Sequence, residues 1–463
     1  MSAKDPKDTI TAISTPMGKG GIGIIRLSGN KAFSIADAIF VPGKKNKPSE
    51  CPTHTVHHGY IIDPNGDIID EVLLTVMKAP STYTTEDMVE INCHGGAMPL
   101  KGVLELCLKK GARLAEPGEF TKRAFMKGRI DLAQAEAVLD IINSESEASR
   151  KMAVQHFRGI ISREIDLMRE KIVEVLSQIE LTLDFSEEDV HFASVEKISK
   201  EVKTLRDTVK IVLDTAGKGM VLREGAEVVI CGKPNVGKSS LMNALLRDDR
   251  VIVTPISGTT RDIVEELINI SGVSVKIADT AGIVETNDVV EKEGVRRSRE
   301  KISRSDLVIF MLDGTRSLSQ EDMDIYELVK DKKKIVVVNK VDLAQQIEID
   351  SIMEKFGVNG IISASVAKEI GISEIEDAIV EKVMEGGVSL PEGPVITNLR
   401  HKEALEEALR SVENAMNVTG KNYNGELLAS DLNNAVRALG LITGETVSED
   451  VLDRIFSQFC IGK

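Results

Sequence analysis

The chain has 463 residues, 42% of them hydrophobic and 28% charged, an ordinary globular composition at a length that suggests about three domains. Its formal net charge of −15 excludes indiscriminate nucleic-acid binding, which needs positive charge along the phosphates, but leaves room for RNA held by one basic patch. Five cysteines (Cys51, Cys93, Cys107, Cys231 and Cys460) without paired spacing argue against a disulfide framework or a zinc ribbon.

The start, MSAKDPKDTI, has no apolar signal core, and no run reaches the ~18–20 apolar residues of a membrane span. A cytoplasmic protein with no membrane partner is therefore expected. Nine of the thirteen prolines lie in residues 1–117, and none falls between Pro117 and Pro234. In that first region GIGIIRLSG and DEVLLTVMKAP read as strands, the second preceded by the turn Pro64-Asn65-Gly66, and residues 97–110 read as a helix. Residues 1–118 are thus expected to form a small α+β domain. The run TKRAFMKGR, residues 121–129, is either a phosphate-binding patch or a solvated helix face.

Farther on the period changes. Ile165, Met168, Ile172, Val175 and Ile179 step by three and four, as do Val195, Ile198, Val202, Leu205, Val209 and Val212, and each series is one apolar helix face. The spacing returns after Pro394 with Leu405, Leu409, Val412 and Met416. Between these blocks EVVICG, SVKIAD, LVIFMLD, KIVVVNK and GIISAS alternate with helices, the pattern of a mostly parallel sheet. An α/β domain over 223–387 is expected to interrupt an all-α domain made of 119–222 and 390–463, whose helices should pack on each other.

GKPNVGKSS, residues 232–240, fits G-x-x-x-x-G-K-[ST] between a strand and a helix. Gly232 and Gly237 let the loop curl around phosphates, Lys238 can reach the β/γ oxygens, and Ser239 can ligate Mg²⁺. Asn339-Lys340-Val341-Asp342 follows an apolar strand, and a carboxylate there accepts both the N1–H and the amine of guanine, which adenine cannot offer. With Ser363-Ala364 it resembles the guanine-recognition elements of translation-factor-like GTPases. Asp279-Thr280-Ala281-Gly282 ends another strand, and Thr260 in SGTTRD is placed to reach Mg²⁺. Ile283 stands where many GTPases carry a water-orienting glutamine, so a cation or another residue must serve; Glu291 and Glu293 are candidates, or members of a solvated acidic loop. Cys460, in the terminal FCIGK, is either a packing residue beside Phe456 and Phe459 or a functional thiol. The ending is not a prenylation box, since Gly462 is not aliphatic and Lys463 is not a usual last residue.

Over its whole length the chain resembles the bacterial MnmE (TrmE) family of tRNA modification GTPases. The pieces that carry the resemblance are DTITAISTPMGKGGIGIIRLSG, PGEFTKRAF, RIDLAQAEAV, the inserted P-loop domain and the terminal CIGK. The resemblance implies an N-terminal α+β folate-binding-like domain, an all-α helical domain and an inserted α/β Ras-like G domain. It implies a homodimer that, with the flavin-dependent partner MnmG in a heterotetramer, installs an aminomethyl or carboxymethylaminomethyl group on C5 of the wobble uridine of certain tRNAs. The one-carbon unit would come from 5-formyl- or 5,10-methylene-tetrahydrofolate, and GTP hydrolysis, stimulated by K⁺, would draw the G domains together and release them.

Carried over position by position, GTP binding falls on Asn235, Val236, Gly237, Lys238, Ser239 and Ser240, on Thr254, Pro255, Ile256, Ser257, Gly258, Thr259 and Thr260, on Asp279, Thr280, Ala281 and Gly282, and on Asn339, Lys340, Asp342, Ser363 and Ala364. Ser239 and Thr260 would hold Mg²⁺; Asn235, Thr254, Ile256 and Thr259 would hold K⁺. Glu291 aligns with the family's catalytic glutamate, and Cys460 becomes important for the modification reaction and dispensable for GTP hydrolysis. Arg26, Glu90, Arg129 and Lys463 fall on the folate pocket; Arg129 is a cation where the family carries lysine. A ribosome-assembly GTPase shares the P-loop asparagine and lacks the glutamine, but leaves the N-terminal domain and CIGK unexplained. N-K-x-D opposes an ATPase or small-molecule kinase.

Overall fold

The computed structural model describes residues 8–43, 46–184, 195–248, 266–279, 299–384, 393–419 and 424–463. Their contacts fall into two units, Met1–Leu139 with Gly440–Lys463, and Asp140–Leu439.

The first unit is built on seven strands, β1 (Ile10–Ile13), β2 (Gly20–Ser28), β3 (Phe40–Pro42), β4 (Thr55–Ile62), β5 (Ile68–Met77), β6 (Met88–Gly95) and β7 (Arg113–Leu114). Their order is β3-β4-β5-β6-β2-β1-β7. All neighbours are antiparallel except β1 and β7. Successive side chains of a strand point to opposite faces, and here the two faces do different work. Ile25 and Leu27 of β2, with Val89, Ile91 and Cys93 of β6, pack under α1 (Ala32–Ile39) and α2 (Ala97–Lys109) in one core. Gly23 belongs to that face, and a Cβ there would stand 2.6 Å from the Leu100 side chain. The alternate residues Arg26, Met88 and Glu90 take the other face. There Met88 packs with Ile10, Ala12 and Phe120, the last from α3 (Glu119–Met126), which α4 (Leu132–Ile142) follows.

The second unit opens with helices α5 (Glu147–Phe157), α6 (Ile160–Asp184), α7 (Val195–Leu213) and α8 (Ala216–Glu224). A six-stranded sheet follows, in the order β13-β12-β11-β8-β10-β9. Its strands and helices run β8 (Ala226–Cys231), α9 (Lys238–Asp248), β9 (Glu266–Ile270), β10 (Val273–Asp279), β11 (Leu307–Asp313), α10 (Gln320–Val329), β12 (Lys334–Asn339), α11 (Ile349–Phe356), β13 (Ile361–Ser363) and α12 (Ile372–Val383). Every pair is parallel except the β9–β10 hairpin. β9 was not among the strands expected from the sequence: ELINI is short, and Asn269 breaks its apolar run. The Asn269 carboxamide caps the hairpin turn by accepting from Gly272 N at 2.8 Å, where Ser271 and Gly272 have φ of 50° and 87°. After the sheet come α13 (Leu399–Val418), which lies against α7, then α14 (Gly425–Thr443); α15 (Glu449–Phe456) belongs to the first unit. None of the described helices is long and apolar enough to cross a membrane.

His156 of α5 is buried, and its Nε2 has no hydrogen-bond partner. Burial, and then the neighbouring His401, hold its pKa down at about 4, against an opposing bond to the Val395 backbone. A folded-state value below the unfolded ~6.5 means that the unfolded chain binds the extra proton. Stability is therefore intact above pH ~6.5 and declines as pH falls toward about 4, by up to ~3 kcal/mol. Amide exchange of α5, corrected for the intrinsic pH dependence, should accelerate across that window in the wild type and not in His156→Leu.

Candidate functional site

Parallel pairing brings the carboxyl ends of β8, β11, β12 and β13 to one edge, where open α/β sheets bind ligands. The loop after β8 turns through left-handed residues, with φ of 145° at Gly232, 65° at Asn235 and 108° at Gly237. Both glycines are also required by crowding. A Cβ on Gly232 would stand 2.4 Å from Met311 O, and one on Gly237 would stand 2.3 Å from Asn339 Nδ2. A loop curled this way turns amides toward an anion. Lys238, at the start of α9, is buried and donates from Nζ to the carbonyls of Gly232 (3.0 Å) and Lys233 (2.9 Å), so its ammonium sits over the loop. Ser239 and Ser240 lie exposed in the same first turn. Lys233 anchors the loop from behind, donating to Asp322 at 2.7 Å and Ser319 at 2.9 Å.

Asn339 ends β12 and joins the two halves of this edge. Its Nδ2 donates to Val236 O at 2.7 Å and its Oδ1 accepts from Val366 N at 3.0 Å. Two residues further, Val341 N bonds Ala364 O at 3.2 Å, and Asp342 accepts from the Ser365 hydroxyl at 2.6 Å. Asn339, Lys340, Asp342, Ser363 and Ala364 are thus brought to one place, with the Asp342 carboxylate oriented by Ser365. Such a carboxylate can take both donors of a guanine edge. Thr254, Pro255, Ile256, Ser257, Gly258, Thr259, Thr260, Thr280, Ala281, Gly282 and Glu291 lie outside the described residues, as does the side chain of Asp279.

The expected folate-pocket residues also converge, within the first unit. Arg26 and Glu90 are register partners on β2 and β6, and Arg26 Nε donates to Glu90 Oε1 at 2.8 Å. Arg26 Nη1 donates to Gly462 O at 2.9 Å. Its guanidinium lies 5.9 Å from the Tyr83 ring and 5.6 Å from that of Phe120, while Arg129 lies 4.6 Å from Tyr83. Burial, then the neighbouring Arg26, hold the Lys463 amine below the ordinary lysine range, with Glu90 opposing. The cations of Arg26, Arg129 and Lys463 suit a ligand carrying carboxylates, and Glu90 can accept from ring N–H groups.

The tail itself is docked. Ile461 bridges Pro117, Gly118 N bonds Cys460 O at 3.4 Å, and Phe120 N bonds Lys463 O at 3.2 Å. Phe456 and Phe459, with ring centroids 5.5 Å apart, are buried, but Cys460 is exposed. Packing is therefore the work of the phenylalanines. Two of the four cations in the run 121–129 are in ion pairs, Arg123 with Asp8, Glu86 and Glu119, and Lys122 with Asp453, while Lys127 and Arg129 are exposed.

These loops on this sheet define a P-loop GTPase. The chain also matches two family profiles, "GTP-binding protein TrmE N-terminus" over residues 9–129 and "MnmE helical domain" over residues 132–460. It is 47% identical over 457 residues to the tRNA modification GTPase MnmE of Alkaliphilus oremlandii, covering 98% of this chain and 99% of that protein. It is 48% identical over 458 residues to the same enzyme of Acetivibrio thermocellus, covering 99% of each. A solved structure of Aquifex aeolicus Era is 32% identical over 40% of this chain and 66% of that one, with a TM-score of 0.30. The chain belongs to the MnmE (TrmE) family of tRNA modification GTPases, with GTP as substrate.

Three contributors went unnoticed in the sequence: Tyr83 between two arginines, Ser365 on Asp342, and Asp313 beneath Lys340. Asp313 had a local signal, since it ends LVIFMLD and pairs in register with Asn339. Gly462, at φ 92°, is a second dependency of the tail, because a Cβ there would meet Ile13 O at 2.5 Å. Gly462→Ala should undock residues 460–463. The amides of Gly118 and Phe120 should then exchange at least ~10-fold faster, since each would lose its partner, while GTP hydrolysis is unchanged.

Proposed function

We propose that this protein is a K⁺-stimulated GTPase that acts as a homodimer with a flavin-dependent partner of the MnmG type. Together they install an aminomethyl or carboxymethylaminomethyl group at C5 of the wobble uridine of certain tRNAs, using a tetrahydrofolate one-carbon donor in the cytoplasm. The reading divides the chain into residues 1–118, 119–222 with 390–463, and 223–387. The observation that carries it is the docked tail, which brings Cys460 and Lys463 to the face of the sheet that holds Arg26 and Glu90. A GTPase acting only as a timing switch has no use for a terminal thiol held beside a cationic cradle.

Arg26, Arg129 and Lys463 would bind the folate's carboxylates, and Glu90 its pterin N–H groups. Lys238 and the loop from Asn235 to Ser240 would bind the β- and γ-phosphates, and Asp342 would select guanine. Ser239 and Thr260 would hold Mg²⁺, and Asn235, Thr254, Ile256 and Thr259 would hold K⁺, a pair of cations that neutralises charge on the phosphates where other GTPases use an arginine finger. Glu291 would orient the attacking water, a task Ile283 cannot perform.

Wobble nucleosides from cells lacking the protein, complemented with wild type or Cys460→Ser, test the reading by mass analysis. Wild type should restore the modified uridine and the mutant should not, with equal GTPase rates for the two purified proteins. Full rescue by the mutant would return Cys460 to a passive role, and no change with either would end the modification reading.

A further inference from the structure

β11 ends at Asp313, and the turn Asp313-Gly314-Thr315 that follows lies beneath Lys340. Asp313 is buried, and both carboxylate oxygens are engaged. Oδ2 accepts from Lys340 Nζ at 2.6 Å, and Oδ1 accepts from Thr315 N at 3.0 Å and Thr315 Oγ1 at 2.6 Å. Burial alone would raise this carboxyl's pKa, but the Lys340 ammonium and the two Thr315 donors outweigh it and hold the group below the usual carboxylate range. The acid is therefore ionised at neutral pH, and the contact with Lys340 is an ion pair.

The same turn grips the backbone on either side of Lys340. Gly314 N donates to Asn339 O at 2.9 Å, and Gly314 O accepts from Gln346 N at 2.8 Å. Gln345 Nε2 donates to Lys340 O at 2.9 Å. A Cβ on Gly314 would stand 2.1 Å from Gln345 Oε1, the movable end of an exposed side chain, and 3.0 Å from Asn339 O. These restraints act on a residue with a conformational problem. Lys340 has φ 67°, a left-handed conformation that a residue with a Cβ adopts at a cost. The turn reverses the chain between Asn339, which faces the phosphate loop, and Asp342, which Ser365 orients. If Lys340 relaxed to an ordinary conformation, the direction of the chain entering Asp342 would change.

We propose that Asp313 is a positioning residue for guanine-nucleotide binding: through its ion pair it holds Lys340 in the left-handed conformation that aims Asp342 at the base. The proposal rests on the reading of Asn339–Asp342 as the base-recognition loop. Asp313 touches no nucleotide and acts through Lys340, so its loss should weaken ground-state and transition-state binding equally and leave the chemical step alone.

The test uses the full chain with Asp313→Asn, Asp313→Glu and Thr315→Val, read by steady-state GTP hydrolysis, by binding of a fluorescent GDP and by thermal unfolding. Asp313→Asn should raise KM for GTP and Kd for GDP ~10-fold, the range for a lost hydrogen bond to a charged group, with kcat within about twofold. Asp313→Glu keeps the charge and should recover part of the affinity. Thr315→Val removes one donor and should weaken binding by a smaller factor. An unchanged KM in Asp313→Asn overturns the proposal, and so does a fall in kcat and unfolding temperature without loss of affinity, which is the mark of a purely structural residue. A parallel Asp342→Asn variant, assayed with GTP and xanthosine triphosphate, separates the two layers. Retained guanine preference there overturns the base-loop reading and the proposal with it, whereas a switch to xanthosine with normal Asp313→Asn kinetics overturns the proposal alone.

Discussion

Parallel pairing is the constraint on which the second unit depends. Because β8, β11, β12 and β13 run in one direction, the residues that follow each of them meet at a single edge. Strands need no side-chain chemistry to achieve this; the apolar runs of β8, β11 and β12, buried on both faces, suffice. The edge then needs only a few polar residues to become a site. Asn339 is the most economical of them, because one buried carboxamide satisfies a carbonyl of the phosphate loop and an amide of the loop after β13. Its removal would leave both backbone groups buried without partners, which costs more than the bonds themselves contribute. The loop after β8 and the loop after β13 are tied together through that side chain.

The first unit answers a different physical problem, the burial of cations. A guanidinium removed from water is costly unless its donors and its faces are both occupied. Arg26 meets the condition with a carboxylate across the strands, the carbonyl of Gly462, and aromatic rings from Tyr83 and Phe120. One consequence is covalently remote: a residue of the second strand fixes the last few residues of the chain. Another is electrostatic. Burial first, and then the neighbouring Arg26, make the Lys463 amine harder to protonate than a free lysine, with Glu90 opposing. A cradle in that condition is relieved by an anion.

Local pattern made much of this legible. The three-and-four spacing from Ile165 to Ile179 and from Val195 to Val212 appears as α6 and α7, and the five apolar runs of the α/β region appear as β8, β10, β11, β12 and β13. These features depend on neighbours in sequence, so a single window contains the signal. The misses share the opposite property. β9 is stabilised by its partner strand more than by its own residues, and the Tyr83 sandwich joins residues that stand far apart in the chain. Cys460 illustrates the limit at one position. FCIGK alone could not distinguish a packing thiol from an exposed one, because the answer lay in where Phe456 and Phe459 go.

The same reasoning separates Arg123 from the other cations of the basic run 121–129. Charge in sequence attracts a nucleic acid only where it is free to leave its counterions for phosphate. Arg123 lies among Asp8, Glu86 and Glu119, and those carboxylates are partly buried with it, so exchanging them for phosphate would strand several negative charges. Arg113 binds two of the same carboxylates and makes the network harder still to open. Lys122 is engaged with Asp453 at the surface, a contact weak enough to yield, and Arg129 rests on Tyr83 beside the tail. The run therefore divides by burial. Arg123 is tied into the carboxylate network, Lys127 is exposed, and Arg129 faces the same aromatic ring as Arg26.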